Sequence, residues 1–123
     1  MALSREEQFN RILGQLHQCT PDIEGAAVIS MDGLVMASSL PANADEEGVS
    51  AMAAAIYGIG ARTAEELNRG LVEQLYIKGA NGYFLITQTS PDAMLAVMAN
   101  TRAKLGIIFL DVKRCAEEIV KMI

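Results

Sequence analysis

A chain of 123 residues is the length of one compact domain, and its formal net charge of −5 counts against nucleic acid, because its ten basic residues are scattered rather than clustered against phosphate. A hydrophobic fraction of 51% with only three prolines calls for a folded core and leaves no room for a long disordered tail. Even so, no run reaches the roughly 18 consecutive apolar residues that a membrane span needs.

Residues 4–18 place Phe9, Ile12, Leu13 and Leu16 at helical spacing, and Ser4 followed three residues later by Glu7 is a capping box, so a first amphipathic helix is expected here. The N-terminal residues 1–8 are too charged for the apolar region of a signal peptide, and a cytoplasmic protein without membrane insertion is the expectation. Pro21 ends the helix. Residues 26–31 and 34–39 are apolar runs separated by Asp32-Gly33, a pair that tolerates the positive backbone angles of a tight primed hairpin turn.

The acidic Asp45, Glu46 and Glu47 open a long helical segment reaching Arg69, where carboxylates suit the positive end of the helix dipole. Val49, Met52, Ala53, Ile56, Ile59 or Gly60, Thr63 and Leu67 make one stripe, which is expected to lie on a sheet. A second stripe, Ala51, Ala54, Ala55, Gly58, Ala61 and Arg62, consists almost wholly of small side chains and lets another helix approach closely. Alanine's high helix propensity is the competing explanation, but glycines in a helix interior cost about 1 kcal/mol each and want a packing reason.

Gly70 is expected to stop this helix. Three strand-like runs follow at residues 71–78, 83–88 and 94–99, separated by Gly79-Ala80-Asn81-Gly82 and Ser90-Pro91-Asp92, turns short enough to make the strands antiparallel neighbours. Residues 26–31 and 94–99 are apolar on both faces, as central strands are, whereas residues 71–78 alternate with Glu73, Gln74 and Lys78 and read as an edge. Leu105, Ile108, Phe109, Val112, Ala116, Ile119, Val120 and Ile123 make the core-facing stripe of a last helix over residues 104–123. The order helix-strand-strand-helix-strand-strand-strand-helix is an α+β arrangement: one antiparallel sheet between helical layers, in a single domain spanning residues 1–123.

Catalytic chemistry finds little to work with. His17 is the only imidazole, placed late in the first helix, and its pairing with Cys19 lacks any motif. Cys19 and Cys115 are far apart in sequence with no Cys-x-x-Cys spacing, and two reduced thiols packed as small hydrophobes are expected. Arg62 and Arg69 have Glu65 and Glu66 as helical salt-bridge partners. Gly58-Ile59-Gly60-Ala61 lies within a helical pattern, and no phosphate-binding Gly-x-x-x-x-Gly-Lys-Ser/Thr occurs. Catalytic, metal-ligating and cofactor-binding residues are therefore expected to be absent.

Residues 25–38, an apolar strand with its Asp32-Gly33 turn and apolar return, resemble the first hairpin of the roadblock / dynein light chain family. The likeness extends to residues 49–67, to Glu73-Gln74-Leu75-Tyr76-Ile77-Lys78-Gly79 with Asn81-Gly82-Tyr83, and to residues 103–110, so that it spans about residues 16–119. It implies a profilin-like, three-layer α/β/α fold whose five-stranded antiparallel sheet carries one long helix on one face and the terminal helices on the other. It also implies a homodimer joined through edge strands and long helices. That places Ala51, Ala54, Ala55, Gly58 and Arg62 of the helix, with Val72, Gln74, Leu75, Tyr76 and Ile77 of the edge strand, at the dimer contact. Prokaryotic members are similar in partnering small Ras-like GTPases without supplying a catalytic side chain, and Arg62, Glu65, Glu66 and Arg69 are the candidate contacts for such a partner. An adaptor in a larger complex and a small-ligand sensory domain are the alternatives, though a ligand pocket wants converging polar groups where this chain has Ala, Val, Ile, Leu and Met.

Overall fold

The computed structural model of the chain describes residues 3–121. The Ser4 hydroxyl accepts the Glu7 backbone N–H at 3.1 Å, so the forward half of the capping box starts helix α1, Arg5–Cys19. Phe9, Ile12, Leu13 and Leu16 are all buried, and the Thr20 N–H closes the last turn on the Leu16 carbonyl just before Pro21.

Strands β1, Ile23–Ser30, and β2, Val35–Ser39, form the expected hairpin with a wider turn than expected. Only Gly33 has a positive φ, of 87°; Asp32 does not. The Gly33 N–H bonds the Ser30 carbonyl at 2.9 Å, the Ser30 N–H bonds the Leu34 carbonyl, and the Ser30 hydroxyl takes the Leu34 N–H. Ser30 thus supplies the side-chain acceptor that holds a longer loop with a single left-handed glycine, in place of a two-residue primed turn.

Helix α2, Glu46–Glu66, is followed by β3, Leu75–Gly79, β4, Gly82–Ser90, β5, Ala93–Ala99, and helix α3, Leu105–Val120. The sheet order is β2-β1-β5-β4-β3, with every neighbour antiparallel. β5 is central with β1 beside it, both buried almost throughout, and β3 is an edge, as their polarity patterns require. One face of the sheet, with Val28, Leu85, Leu95 and Val97, packs on α1 and α3; the other, with Ala27, Ile29, Ile86, Met94 and Ala96, lies beneath α2.

Three expectations need correction. α2 stops at Glu66, short of Arg69, because Asn68 turns left-handed at φ 56°. β3 begins at Leu75, so residues 71–74, Val72 and Gln74 among them, lie outside the strand. Asn68 and Gly70, the latter at φ 83°, turn the chain aside, and pairing starts only where Leu75 meets Ile86. The face of α2 on the sheet is rotated from the expected stripe. Ser50 and Ala53 are buried there with Tyr57 half-buried, whereas Met52, Ile59 and Leu67 are exposed. Small residues suit this face because the helix lies close: a Cβ on Gly60 would come within 3.2 Å of the Leu75 side chain.

On α3, Ile108, Val112, Ala116 and Ile119 are buried and Leu105 and Phe109 partly so, while Val120 is exposed over nearly half its surface and Ile123 lies outside the described residues. Cys115 packs in the core as expected, but Cys19, in the last turn of α1, is exposed.

Candidate interaction surface

The residues assigned to a contact fall on two elements. Along α2, Ala51, Ala55, Gly58 and Arg62 recur at three- and four-residue intervals and are all exposed, so they form one outward line. Among the described residues nothing lies within 4 Å of a Cβ placed on Gly58, so none of them explains this helical glycine. Ala54 is half-buried and leans on the β1–β2 turn, where a Cβ on Gly33 would sit 3.6 Å from its methyl.

Beside the outward line runs an apolar ridge of Met52, Ile56 and Ile59. Ile56 packs into the cluster that contains Phe84 and Leu75, which sets this flank of the helix toward β3. Met52 is 59% and Ile59 68% exposed, a quantity of apolar surface that a helix covering its own sheet should not leave in water.

β3 is the second element. Leu75 is half-buried under Gly60, while Tyr76 and Ile77 are nearly half exposed. Alternation sends Tyr76 to the α3 face, where its ring meets Phe109 edge-on at 5.4 Å, and sends Ile77 to the α2 face. Among the described residues nothing pairs with the outer side of β3. The opposite edge, β2, is held by the start of α2, where the Ser38 hydroxyl donates to Glu46. An open edge of this kind is a template for another strand. Val72 is half-buried and Gln74 exposed; both border a groove between the segment before β3, the end of β4 and α3.

Charges add little to this surface. Arg62 Nε and Glu66 Oε1 are 3.1 Å apart, the expected helical pair, but both side chains are mostly in water and such pairs contribute about 0–1 kcal/mol. Glu65 and Arg69 are also exposed, so the candidate partner contacts comprise two cations and two anions near the C-terminal end of α2. Burial pushes the Tyr57 phenol up from its ordinary value, and its hydroxyl donates to Gln88 Oε1 at 2.9 Å, tying α2 to β4.

His17 Nδ1 is engaged by the Ile23 carbonyl, which holds the ring against the α1–β1 connection. Among the described residues no group of three His, Cys, Asp or Glu side chains is disposed to hold a metal, and no helix is long and apolar enough to cross a membrane.

An open strand edge thus lies beside a helix with an exposed apolar flank, and comparison with known proteins gives the chain its family. The Roadblock/LC7 domain matches residues 11–99. The chain belongs to the Roadblock/LC7 domain family. An uncharacterized protein of Methanocaldococcus jannaschii, MJ1340, is 40% identical over 114 residues, covering 93% of this chain and 98% of the relative. Among solved structures, Myxococcus xanthus MglB superposes with a TM-score of 0.88 at 17% identity, covering 99% of this chain and 92% of MglB. Acanthamoeba castellanii profilin II matches with a TM-score of 0.67 at 16% identity, over 92% of this chain and 97% of the profilin. The Roadblock/LC7 chain therefore has the profilin-like fold, and its family is one of generally non-catalytic regulators and adaptors.

Sequence reasoning missed that Met52 and Ile59 face outward in this Roadblock/LC7 chain. The sheet instead takes the line Ser50, Ala53, Tyr57, Gly60 and Ala64, which the sequence does not distinguish from the outward line of small residues.

Proposed function

We propose that this Roadblock/LC7 chain acts as a single-domain, cytoplasmic, non-catalytic homodimer that regulates a small Ras-like GTPase. The observation that carries the reading is the exposed ridge of Met52 and Ile59 next to the unpaired edge of β3. A second copy related by a twofold axis would pair β3 with β3, satisfy both open edges, and cover each ridge with the partner's α2. Small residues at Ala51, Ala55 and Gly58 would let the two helices approach. The likeness to MglB in fold and the family's regulatory character support a platform for another protein.

A platform needs no nucleophile. It biases its partner's switch loops through differential affinity for two states. Arg62, Glu65, Glu66 and Arg69 lie at one end of α2 and, doubled by symmetry, offer polar contacts flanking the helix pair. The test is to purify the protein with the small GTPases encoded in the same genome and measure GTP turnover by each with and without it. Acceleration of one of them supports activation, and binding without acceleration supports scaffolding. Absence of binding to every such GTPase would count against the proposal.

A further inference from the structure

The last pair between β3 and β4 is Leu75 with Ile86, yet β4 continues to Ser90, so its outer edge over residues 87–90 has no strand beside it. An open groove lies there, lined by Thr87 and Thr89 of β4, Ala116 and Val120 of α3, and Val72 of the segment preceding β3. Thr89 is 8% exposed and its hydroxyl has no hydrogen-bond partner among the described residues. Buried hydroxyls are nearly always satisfied, so this one calls for a polar partner at the wall of the groove.

Residues 71–74 run along its other bank. Leu71 is 93% exposed, and the segment hangs from Asn68 and Gly70, both left-handed, which frame a pivot just after α2. Its sequence, Leu-Val-Glu-Gln, contains no proline or glycine and includes a β-branched valine, so nothing in it opposes an extended strand.

We propose that residues 71–74 are a strap that closes onto the free end of β4 and continues β3 in register. Extending the Leu75–Ile86 pairing backwards sets Gln74 opposite Thr87, Glu73 opposite Gln88 and Val72 beside Thr89, the residue at which β4 bulges against β5. Alternation puts Val72 and Gln74 on the face of Tyr76, toward α3, and turns Glu73 to the other face. Val72 then enters the groove against Ala116 and Val120. Gln74 sits diagonal to Thr89, within reach of a long side chain, and its amide supplies the partner that the Thr89 hydroxyl lacks. Closure adds residues 71–74 to the five of β3, lengthening the open edge. That a longer edge favours pairing of two copies rests on the homodimer reading; closure itself does not.

The experiment places cysteines at Val72 and Thr89 in a chain whose own thiols are removed by Cys19→Ser and Cys115→Ala. Directly opposed strand residues are at disulfide distance. The control pair, Glu73→Cys with Thr89→Cys, points to opposite faces. The strap predicts that the first pair oxidises within one chain about ten-fold faster than the control. Equal rates, or a bond formed only between chains, would overturn it. Hydrogen exchange on the unmodified protein needs no variant to fold. The Gln88 amide should be slowed about ten-fold or more relative to an unstructured peptide, and exchange at the unstructured rate would contradict closure. Sedimentation of the same samples gives copy number independently. An intrachain bond in a monomer would uphold the strap while defeating the homodimer.

Discussion

Among the glycines, Gly82 has the least room for a side chain. Its φ of 147° lies where side chains are rarely accommodated, and a Cβ there would run into the Ala99 carbonyl oxygen of the neighbouring strand. Gly82→Ala must therefore bend the start of β4 away from β5, and we expect a loss of about 2 kcal/mol, measured as a lowered urea midpoint at constant slope. The two cysteines differ just as sharply. Burial, with a smaller contribution from Glu118, pushes the Cys115 thiol up to about 12, whereas Cys19 is exposed. Folding thus holds the proton on Cys115 at pH values where the unfolded thiol, with an ordinary value of 9.0, has released it. Its contribution to stability is complete below pH 9.0 and declines as pH rises toward about 12. A thiol reagent at pH 8 should label Cys19 at once and Cys115 only at the rate of opening of the fold, and prompt labelling of both would refute the burial assignment.

At the scale of elements, α2 joins fold to function. Gly58 weakens the helix with no neighbour among the described residues to require it. In the isolated protomer Gly58→Ala should stabilise by about 0.5–1 kcal/mol, because the helix gains propensity and the methyl meets open space. The same methyl should weaken association of two copies by wedging their helices apart. Denaturation of dilute protein and sedimentation at higher concentration read the two effects separately, and a variant that associates more tightly would contradict the close approach.

Element type, order and the central or edge character of most strands were legible in the sequence, because hydrophobic period and turn chemistry are local. Phe9, Ile12, Leu13 and Leu16 mark a helix, and residues 94–99 mark a central strand, without reference to anything distant. The rotation of α2 was not legible. Met52, Ile59 and Leu67 look like a core stripe, and only the closeness of Gly60 to Leu75 reveals that the sheet takes the small face instead. The length of β3 was hidden for a related reason: Leu71 and Val72 have strand character, but the left-handed Asn68 and Gly70 decide where pairing begins. On the candidate surface, Ala51, Ala55, Gly58, Tyr76 and Ile77 were legible as a set because small residues and edge polarity are themselves signals. The large apolar side chains beside them were not, since an exposed apolar stripe has the same period as one that faces the core.

For the whole molecule, the proposed dimer rests on what the folded chain leaves uncovered. One face of its sheet is covered by α1 and α3, while α2 leaves an apolar flank beside the open outer edge of β3. A twofold arrangement would complete both, and it would also gather the regulatory surface from two chains, so that loss of the dimer should abolish any effect on a GTPase even where each protomer stays folded. Ala55→Glu isolates that dependence, since Ala55 is exposed in the protomer and its replacement disturbs no packing within the chain. The most direct measurement is sedimentation of the protein and of Ala55→Glu at matched micromolar concentrations. The account predicts twice the 13.2 kDa chain mass for the first and a single, folded chain for the second. A 13.2 kDa particle at every concentration of the unmodified protein, or a dimer indifferent to the glutamate, would contradict it.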